Sequence, residues 1–211
     1  MSMIKTVLGG CVFLVVGALA LAGEAEKRND GKQPVPMCPV MSDEPADMFL
    51  SVDTDEGPVY MCCKGCVKRF NRNPDKYADA VKKQRAVLAK LPKMQVLCPV
   101  SNEPVDTDVS LKHDGKDVHF CCGGCKSKFE AEPAKFTKQL AKSYTYQTQC
   151  PVMDSQISPG VYTDLPTGER IYYCCKRCKK KMMMSPEKYN EKLVAQNIRI
   201  DWERVQQEKG D

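Results

Sequence analysis

The sequence is poor in histidine and in aromatic residues, and it contains no catalytic motif. The chain has two histidines and one tryptophan, and its aromatic content is 7%. No Ser/His/Asp triad, no pair of carboxylates spaced for acid–base catalysis and no glycine-rich phosphate loop occurs in it. We therefore expect that the protein is not an enzyme.

Long apolar stretches are scarce, and the main one lies at the N-terminus. Lys5 is followed by an apolar run at residues 12–16 and by small residues at 18–23. This order is typical of a secretory signal, which we place at residues 1–22, with an uncleaved membrane anchor through residues 7–23 as the alternative. Residues 23–35 are polar and predict a flexible tether. We therefore expect an exported protein, periplasmic or extracellular.

Lysine-rich segments and a net charge of +5 would permit binding to nucleic acid. The basic residues are not interleaved with aromatic side chains on which bases could stack, however. The predicted signal also directs the chain away from nucleic acid. We expect no nucleic-acid partner.

Cysteine, in contrast, is abundant and is arranged as a repeat. Two adjacent cysteines, two further residues and another cysteine end each of the segments 59–66, 118–125 and 171–178. Each copy also has a lone cysteine, in a Cys-Pro-Val context, 23 or 24 residues before the adjacent pair. The repeat predicts three tandem units at residues 36–92, 93–143 and 144–211. The repeated cysteines are Cys38, Cys62, Cys63, Cys66, Cys98, Cys121, Cys122, Cys125, Cys150, Cys174, Cys175 and Cys178.

Each unit follows the same local plan. Two short apolar segments around a polar turn with glycine predict a β-hairpin that ends at the cysteines. Helical spacing follows, with a helix at residues 75–91 of the first unit and a C-terminal helix in the third that packs on a neighbouring unit. We therefore predict an α+β fold of three small hairpin-plus-helix units. Units of this size bury little apolar surface, so they need a metal or a disulfide for stability.

A strand-to-helix junction can bring two thiolates together, and a hairpin can return the upstream cysteine to them. The four sulfur atoms of each unit would then form a site for zinc or copper(I). In the first unit we expect Cys38, Cys62 and Cys66 to form the core of the site and Cys63 to be a fourth ligand. All twelve repeated cysteines are candidate ligands on this plan.

Two alternatives account for the same thiols. Without Cys11 the exported chain has an even number of cysteines, as in a disulfide-stapled interaction scaffold. Adjacent cysteines are poorly placed to form a normal disulfide with each other, however. Cys62 or Cys63 next to Cys66 would also suit a thiol–disulfide redox protein.

Few other side chains near the cysteines are potential metal ligands. Met41 and Met153 follow an upstream cysteine by three residues, and Ser101 occupies that position in the second unit. A thioether beside thiolates suits Cu(I), and the alternative is that these methionines fill the small cores. His119 replaces a strand tyrosine and is expected to be structural, whereas His113 is expected in a solvated turn.

The repeated pattern resembles that of the YHS and TRASH domains. Cys-Pro-Val, a hairpin, Cys-x-x-x-Cys, an aromatic residue and Pro-x-Lys-Tyr follow one another in that order. The matching residues are Cys38, Cys62, Cys66, Phe70, Pro74, Lys76 and Tyr77; Cys98, Cys121, Cys125, Phe129, Pro133, Lys135 and Phe136; and Cys150, Cys174, Cys178, Pro186, Lys188 and Tyr189. Met182 departs from the family by replacing a phenylalanine, and Met41, Ser101 and Met153 stand where YHS domains usually have a cysteine.

The resemblance implies a treble-clef-like or zinc-knuckle-like fold. It also implies that the units bind heavy-metal ions, for metal binding, relay or resistance. A metal transporter or another exported protein is the partner that it suggests.

Overall fold

The computed structural model describes residues 33–208 of the chain. The predicted secretory signal at residues 1–22 and the predicted tether up to residue 32 lie outside the described residues. Within residues 33–208, no helix has both the length and the apolar character needed to cross a membrane. This part of the chain has an α+β architecture in which a hairpin followed by helices occurs three times.

The first unit begins with an antiparallel hairpin that leads into a short helix. Val59 and Met61 are fully buried and alternate with partly buried neighbours along the second strand, as the two-residue period of a strand requires. The elements are β1 (Asp47–Thr54), β2 (Gly57–Met61), α1 (Lys64–Arg72), a 3₁₀ helix (Pro74–Tyr77) and α2 (Ala78–Leu88).

The single helix predicted at residues 75–91 is shorter than expected. A 3₁₀ turn occupies its first residues, because the Asn73 side chain accepts a hydrogen bond from the Lys76 N–H at 3.4 Å and Pro74 cannot donate one. The α-helix begins only at Ala78 and ends at Leu88.

The second unit repeats the plan after a two-residue strand. Asp114 and Gly115 have positive φ angles of 49° and 75° and form the tight turn of its hairpin, as an Asp-Gly pair favours. The elements are β3 (Met94–Gln95), β4 (Asp106–His113), β5 (Lys116–Phe120), α3 (Gly123–Ala131) and α4 (Pro133–Lys142).

The third unit has the same order and continues into an additional helix. Each of the three hairpins carries a register shift in its first strand, which bends the strand. The elements are β6 (Tyr144–Thr145), β7 (Ser158–Asp164), β8 (Arg170–Tyr173), α5 (Lys176–Met184), α6 (Glu187–Val194) and α7 (Trp202–Gln207).

The helix that follows the cysteines packs its hydrophobic residue beside the hairpin. Phe70 in α1 is 4% exposed and Phe129 in α3 is 1% exposed. Met182 stands at the equivalent position of α5 and is fully buried. The methionine therefore keeps the apolar contact that the phenylalanine makes in the other units.

The first and third units share one buried core, and the first and second units each also have a core of their own. Met48 and Leu88 of the first unit belong to the same buried cluster as Leu193 and Val205 of the third. The C-terminal helix α7 therefore contributes to a core shared with a neighbouring unit, as expected. The second and third units are joined differently, because β3 pairs with β6 in a short antiparallel sheet.

Candidate metal centres

The adjacent cysteines lie on the connection between strand and helix. In the first unit β2 ends at Met61 and α1 begins at Lys64, so Cys62 and Cys63 belong to neither element. Cys63 has an extended backbone, with φ of −160° and ψ of 163°, and neighbouring side chains of an extended segment point in opposite directions. Cys62 is accordingly partly buried and Cys63 is exposed. The two members of the pair therefore have different environments.

The upstream cysteine is the first residue of a short closed loop. The Cys38 N–H donates to the Glu44 carbonyl at 2.8 Å, and Met37 and Pro45 form an isolated bridge at the ends of the loop. The N–H groups of Cys98 and Cys150 make equivalent bonds of 2.7 Å. These three cysteines are at most 1% exposed, so their sulfur atoms are held inside the units.

Three sulfur atoms converge in each unit. The upstream cysteine, the first cysteine of the adjacent pair and the helix cysteine have all their Sγ atoms within 4.8 Å of one another. The last two of these sulfurs are 3.5 Å apart in the first unit and 3.6 Å apart in the second and third. Each cluster could hold a metal ion. The clusters are Cys38, Cys62 and Cys66; Cys98, Cys121 and Cys125; and Cys150, Cys174 and Cys178.

The fourth thiol of each unit lies at the edge of its cluster. Cys63, Cys122 and Cys175 are the N-caps of the helices that follow them, and they do not belong to the groups of mutually close sulfurs. They are still near, since Cys175 Sγ is 3.4 Å from Cys178 Sγ and Cys122 Sγ is 3.8 Å from Cys121 Sγ. Cys63 and Cys122 are exposed, whereas Cys175 is partly buried.

The four thiols of one unit do not ionise alike. In the third unit the nearby backbone N–H of Cys178 stabilises the Cys175 thiolate and lowers the pKa of Cys175 to about 7. Burial opposes ionisation of Cys150, but the N–H groups of Cys174 and Val152 outweigh it and lower the pKa of Cys150. Burial raises the pKa of both Cys174 and Cys178. A metal ion that binds in the cluster must therefore displace protons from these last two thiols.

The second unit has a serine at the position where the other two units have a methionine. Ser101 Oγ lies 3.1 Å from Cys121 Sγ. Burial opposes ionisation of Cys98, but the Ser101 hydroxyl and surrounding N–H groups lower the pKa of Cys98 to about 7. Met41 and Met153, at the equivalent positions, are 37% and 58% exposed. The alternative that these methionines fill the cores is therefore wrong, and the second site differs chemically from the other two.

Neither histidine belongs to a sulfur cluster. His119 Nδ1 lies 3.2 Å from the Thr107 carbonyl oxygen, within the same hairpin, in keeping with a structural role. His113 packs edge-on against Phe129, with 5.1 Å between ring centroids, and its side chain is 28% exposed. His113 is therefore only partly solvated, because one side of its ring packs against Phe129.

Three buried glutamines that bind the backbone beside the clusters are absent from the sequence-based predictions. Gln84, Gln95 and Gln147 are at most 5% exposed, and each bonds to the strand that leads to its unit's adjacent cysteines. One weak signal was available, because Gln95 and Gln147 each precede an upstream cysteine by three residues. No such signal exists for Gln84, which lies on α2.

Comparison with known proteins does not place the chain in a family. No protein-family model matches it, and no curated protein or solved structure does either. The class of protein therefore rests on the geometry of the chain itself. The three clusters define a tandem array of cysteine-rich units, each with three sulfur atoms that could hold a metal ion.

Proposed function

We propose that the protein is an exported, non-enzymatic metal-binding protein that holds one thiophilic ion in each unit. The observation that carries this proposal is the threefold recurrence of a cluster of three cysteine sulfurs within 4.8 Å. Thiolates are soft ligands, and they select zinc or Cu(I) over calcium and magnesium. In the first unit, Cys38, Cys62 and Cys66 would hold the ion.

The fourth thiol distinguishes the two candidate ions. Structural zinc sites are almost always four-coordinate, so zinc would recruit Cys63 from the edge of the first cluster. Cu(I) is satisfied by fewer ligands and would leave Cys63 free. In both cases the exposed Cys63 lies beside Cys62, so a partner's ligand could reach the ion from that side. This position suits a relay of metal ions to an acceptor, such as a transporter or another exported protein.

The resemblance to YHS and TRASH domains supports the same proposal. Phe70 and Tyr77 stack with their ring centroids 6.0 Å apart, and Phe129 and Phe136 do so at 6.1 Å. These are the residues that matched the family pattern, and each pair packs in the core that contains its unit's sulfur cluster. We therefore propose that all three units are YHS/TRASH-like, and that the charge of their thiolates is offset by the basic residues of the helices that follow.

Thiol–disulfide exchange is a second candidate function, favoured by one observation in the third unit. Cys175 stands at the N-cap of α5, and its sulfur is 3.4 Å from that of the buried Cys178. In such a reaction the Cys175 thiolate would attack a substrate disulfide and expel one substrate thiol. Cys178 would then attack the mixed disulfide and release the second thiol, so that two electrons pass to the substrate.

Native mass spectrometry of the reduced, full-length protein tests the proposal. After addition of zinc or Cu(I), we expect a mass increase of three ions per chain. Alkylation of the same sample should leave the cluster cysteines unmodified until a chelator is added. A reduced protein that takes up neither ion, and whose cysteines alkylate equally with and without metal, would refute metal binding. Reduction of an added low-molecular-weight disulfide, with formation of a Cys175–Cys178 disulfide, would then favour the second candidate.

A further inference from the structure

Each sulfur cluster is accompanied by one glutamine whose side-chain amide joins its two cysteine-bearing segments. In the second unit Gln95 Oε1 accepts a hydrogen bond from the His119 N–H at 2.9 Å. Gln95 Nε2 donates to the His119 carbonyl at 2.8 Å and to the Leu97 carbonyl at 3.0 Å. Leu97 directly precedes Cys98, and His119 lies two residues before Cys121. The amide therefore connects the backbone beside one ligand with the backbone beside another.

The third unit makes the same three bonds. Gln147 Oε1 accepts from the Tyr172 N–H at 2.9 Å, and its Nε2 donates to the Tyr172 carbonyl at 2.7 Å and to the Gln149 carbonyl at 3.2 Å. Gln196 adds a second amide here, since it binds both the N–H and the carbonyl of Gln149. The third unit is therefore braced more strongly than the second.

The first unit reaches the same arrangement from another part of the fold. The residue three positions before Cys38 is a valine, and the amide comes instead from Gln84 on α2. Gln84 accepts from the Tyr60 N–H at 3.0 Å and donates to the carbonyls of Tyr60 and Met37, both at 2.8 Å. A contact made from two unrelated chain positions is not a by-product of the repeated sequence.

We propose that Gln84, Gln95 and Gln147 are positioning residues that hold the upstream cysteine at ligand distance from the other two sulfurs. This inference rests on the proposed metal-binding function. Each amide satisfies one N–H and two carbonyl groups in a buried setting, so loss of the side chain leaves those groups without partners and frees the two segments to separate. Residues that orient metal ligands typically change metal affinity by about 10- to 100-fold when mutated.

The test uses Gln95→Leu in the full-length, reduced protein, titrated with zinc alone in a metal buffer. Alkylation followed by peptide mapping reads the protection of each unit's cysteines separately. We expect the zinc concentration that half-protects Cys98 and Cys121 to rise about 10- to 100-fold, with the other two units unchanged. Gln84→Leu and Gln147→Leu should each affect only their own unit, and Gln147→Leu the least, because Gln196 remains.

Two controls separate positioning from a general loss of stability. Leu140→Ala removes a partly buried side chain from the core of the second unit without touching Leu97 or His119. If the two variants lose similar amounts of unfolding free energy, Leu140→Ala should raise the zinc concentration that half-protects Cys98 and Cys121 much less than Gln95→Leu does. If Gln95→Leu does not fold, Gln95→Glu keeps the acceptor for the His119 N–H but loses both donors, and should weaken the same site.

A second measurement is independent of metal. Cross-linking of Cys98 to Cys121 in the metal-free protein by a short bifunctional thiol reagent should fall in Gln95→Leu and not in Leu140→Ala. Unchanged cross-linking in a folded Gln95→Leu protein, or an equal loss of zinc protection in all three units, would overturn the positioning role. Absence of zinc protection in the unmutated chain would instead refute the proposed function. The cross-linking result would still show whether Gln95 holds Cys98 close to Cys121.

Discussion

The two members of each adjacent cysteine pair should differ greatly in their importance for metal binding. Cys62 is partly buried and belongs to the group of three close sulfurs, whereas Cys63 is exposed and lies outside that group. We predict that Cys62→Ser weakens metal binding at the first site far more than Cys63→Ser. The same order should hold for Cys121 over Cys122 and for Cys174 over Cys175.

The size of the effect follows from the number of sulfur ligands. Structural zinc sites bind with an apparent free energy of about 10–16 kcal/mol, which is about 2.5–4 kcal/mol for each of four ligands. Loss of Cys62 should therefore reduce affinity by a factor of about 100 or more. Loss of Cys63 should reduce zinc affinity by less, because its sulfur must leave the surface to join the ion. It should leave Cu(I) affinity within about threefold, since the three-sulfur core remains intact.

The assay is a competition titration of the full-length protein against a chromophoric chelator, with alkylation and peptide mapping to locate the affected unit. Cys63→Ser serves as the matched control for Cys62→Ser, because both replace a thiol by a hydroxyl one residue apart. The second and third units provide two independent repetitions in the same chain. A larger loss for Cys63→Ser than for Cys62→Ser would refute the reasoning. The site would then be a Cys-x-x-Cys knuckle built from Cys63 and Cys66.

Three further predictions concern stability and ionisation. Removal of metal by a chelator under reducing conditions should increase amide exchange in all three hairpins, because small units draw much of their folding free energy from the bound ion. Unchanged exchange in the metal-free protein would show that the fold does not depend on the metal sites. Ser101→Ala should raise the pKa of Cys98 above about 7, because the hydroxyl helps to stabilise that thiolate. The thiolate absorbance of the metal-free variant should then appear at higher pH, and an unshifted titration would contradict this role of Ser101. Phe129→Ala should lower the free energy of unfolding by about 3–5 kcal/mol, whereas Met184→Ala, at a side chain 73% exposed, should change it by less than about 0.5 kcal/mol. Urea denaturation of the two variants measures both changes, and equal values would show that Phe129 does not stabilise the core.

The local plan of each unit was predictable because it depends on neighbouring residues. Asp114 and Gly115 specify a tight hairpin turn, and the apolar alternation up to Phe120 fixes which strand face is buried. The repeat supplied the rest, since the same hairpin and cysteines occur three times. In all three units the hairpin is found directly before the adjacent cysteines, as predicted.

Features that depend on distant residues were not predictable. Gln84 meets Tyr60 across 24 residues, and nothing in the periodicity of α2 marks its amide as a hydrogen-bond partner. The C-terminal helix was expected to pack on a neighbouring unit, but nothing in the sequence marks Met48, near the other end of the described chain, as sharing a core with Val205. The 3₁₀ turn before α2 was missed for a different reason, because the Asn73 side chain competes with the backbone for the hydrogen bonds of the first turn.

The three sites share one plan, but their surroundings are unequal. The third cluster packs in a core that Met48 and Leu88 of the first unit also join, whereas the first cluster packs in a core within its own unit. The second cluster packs in a core of its own and has the Ser101 hydroxyl beside Cys121. Three identical sites would fill together over one narrow range of metal concentration. The unequal surroundings instead predict stepwise filling, and if Met41 and Met153 ligate Cu(I), the middle site should hold that ion least firmly.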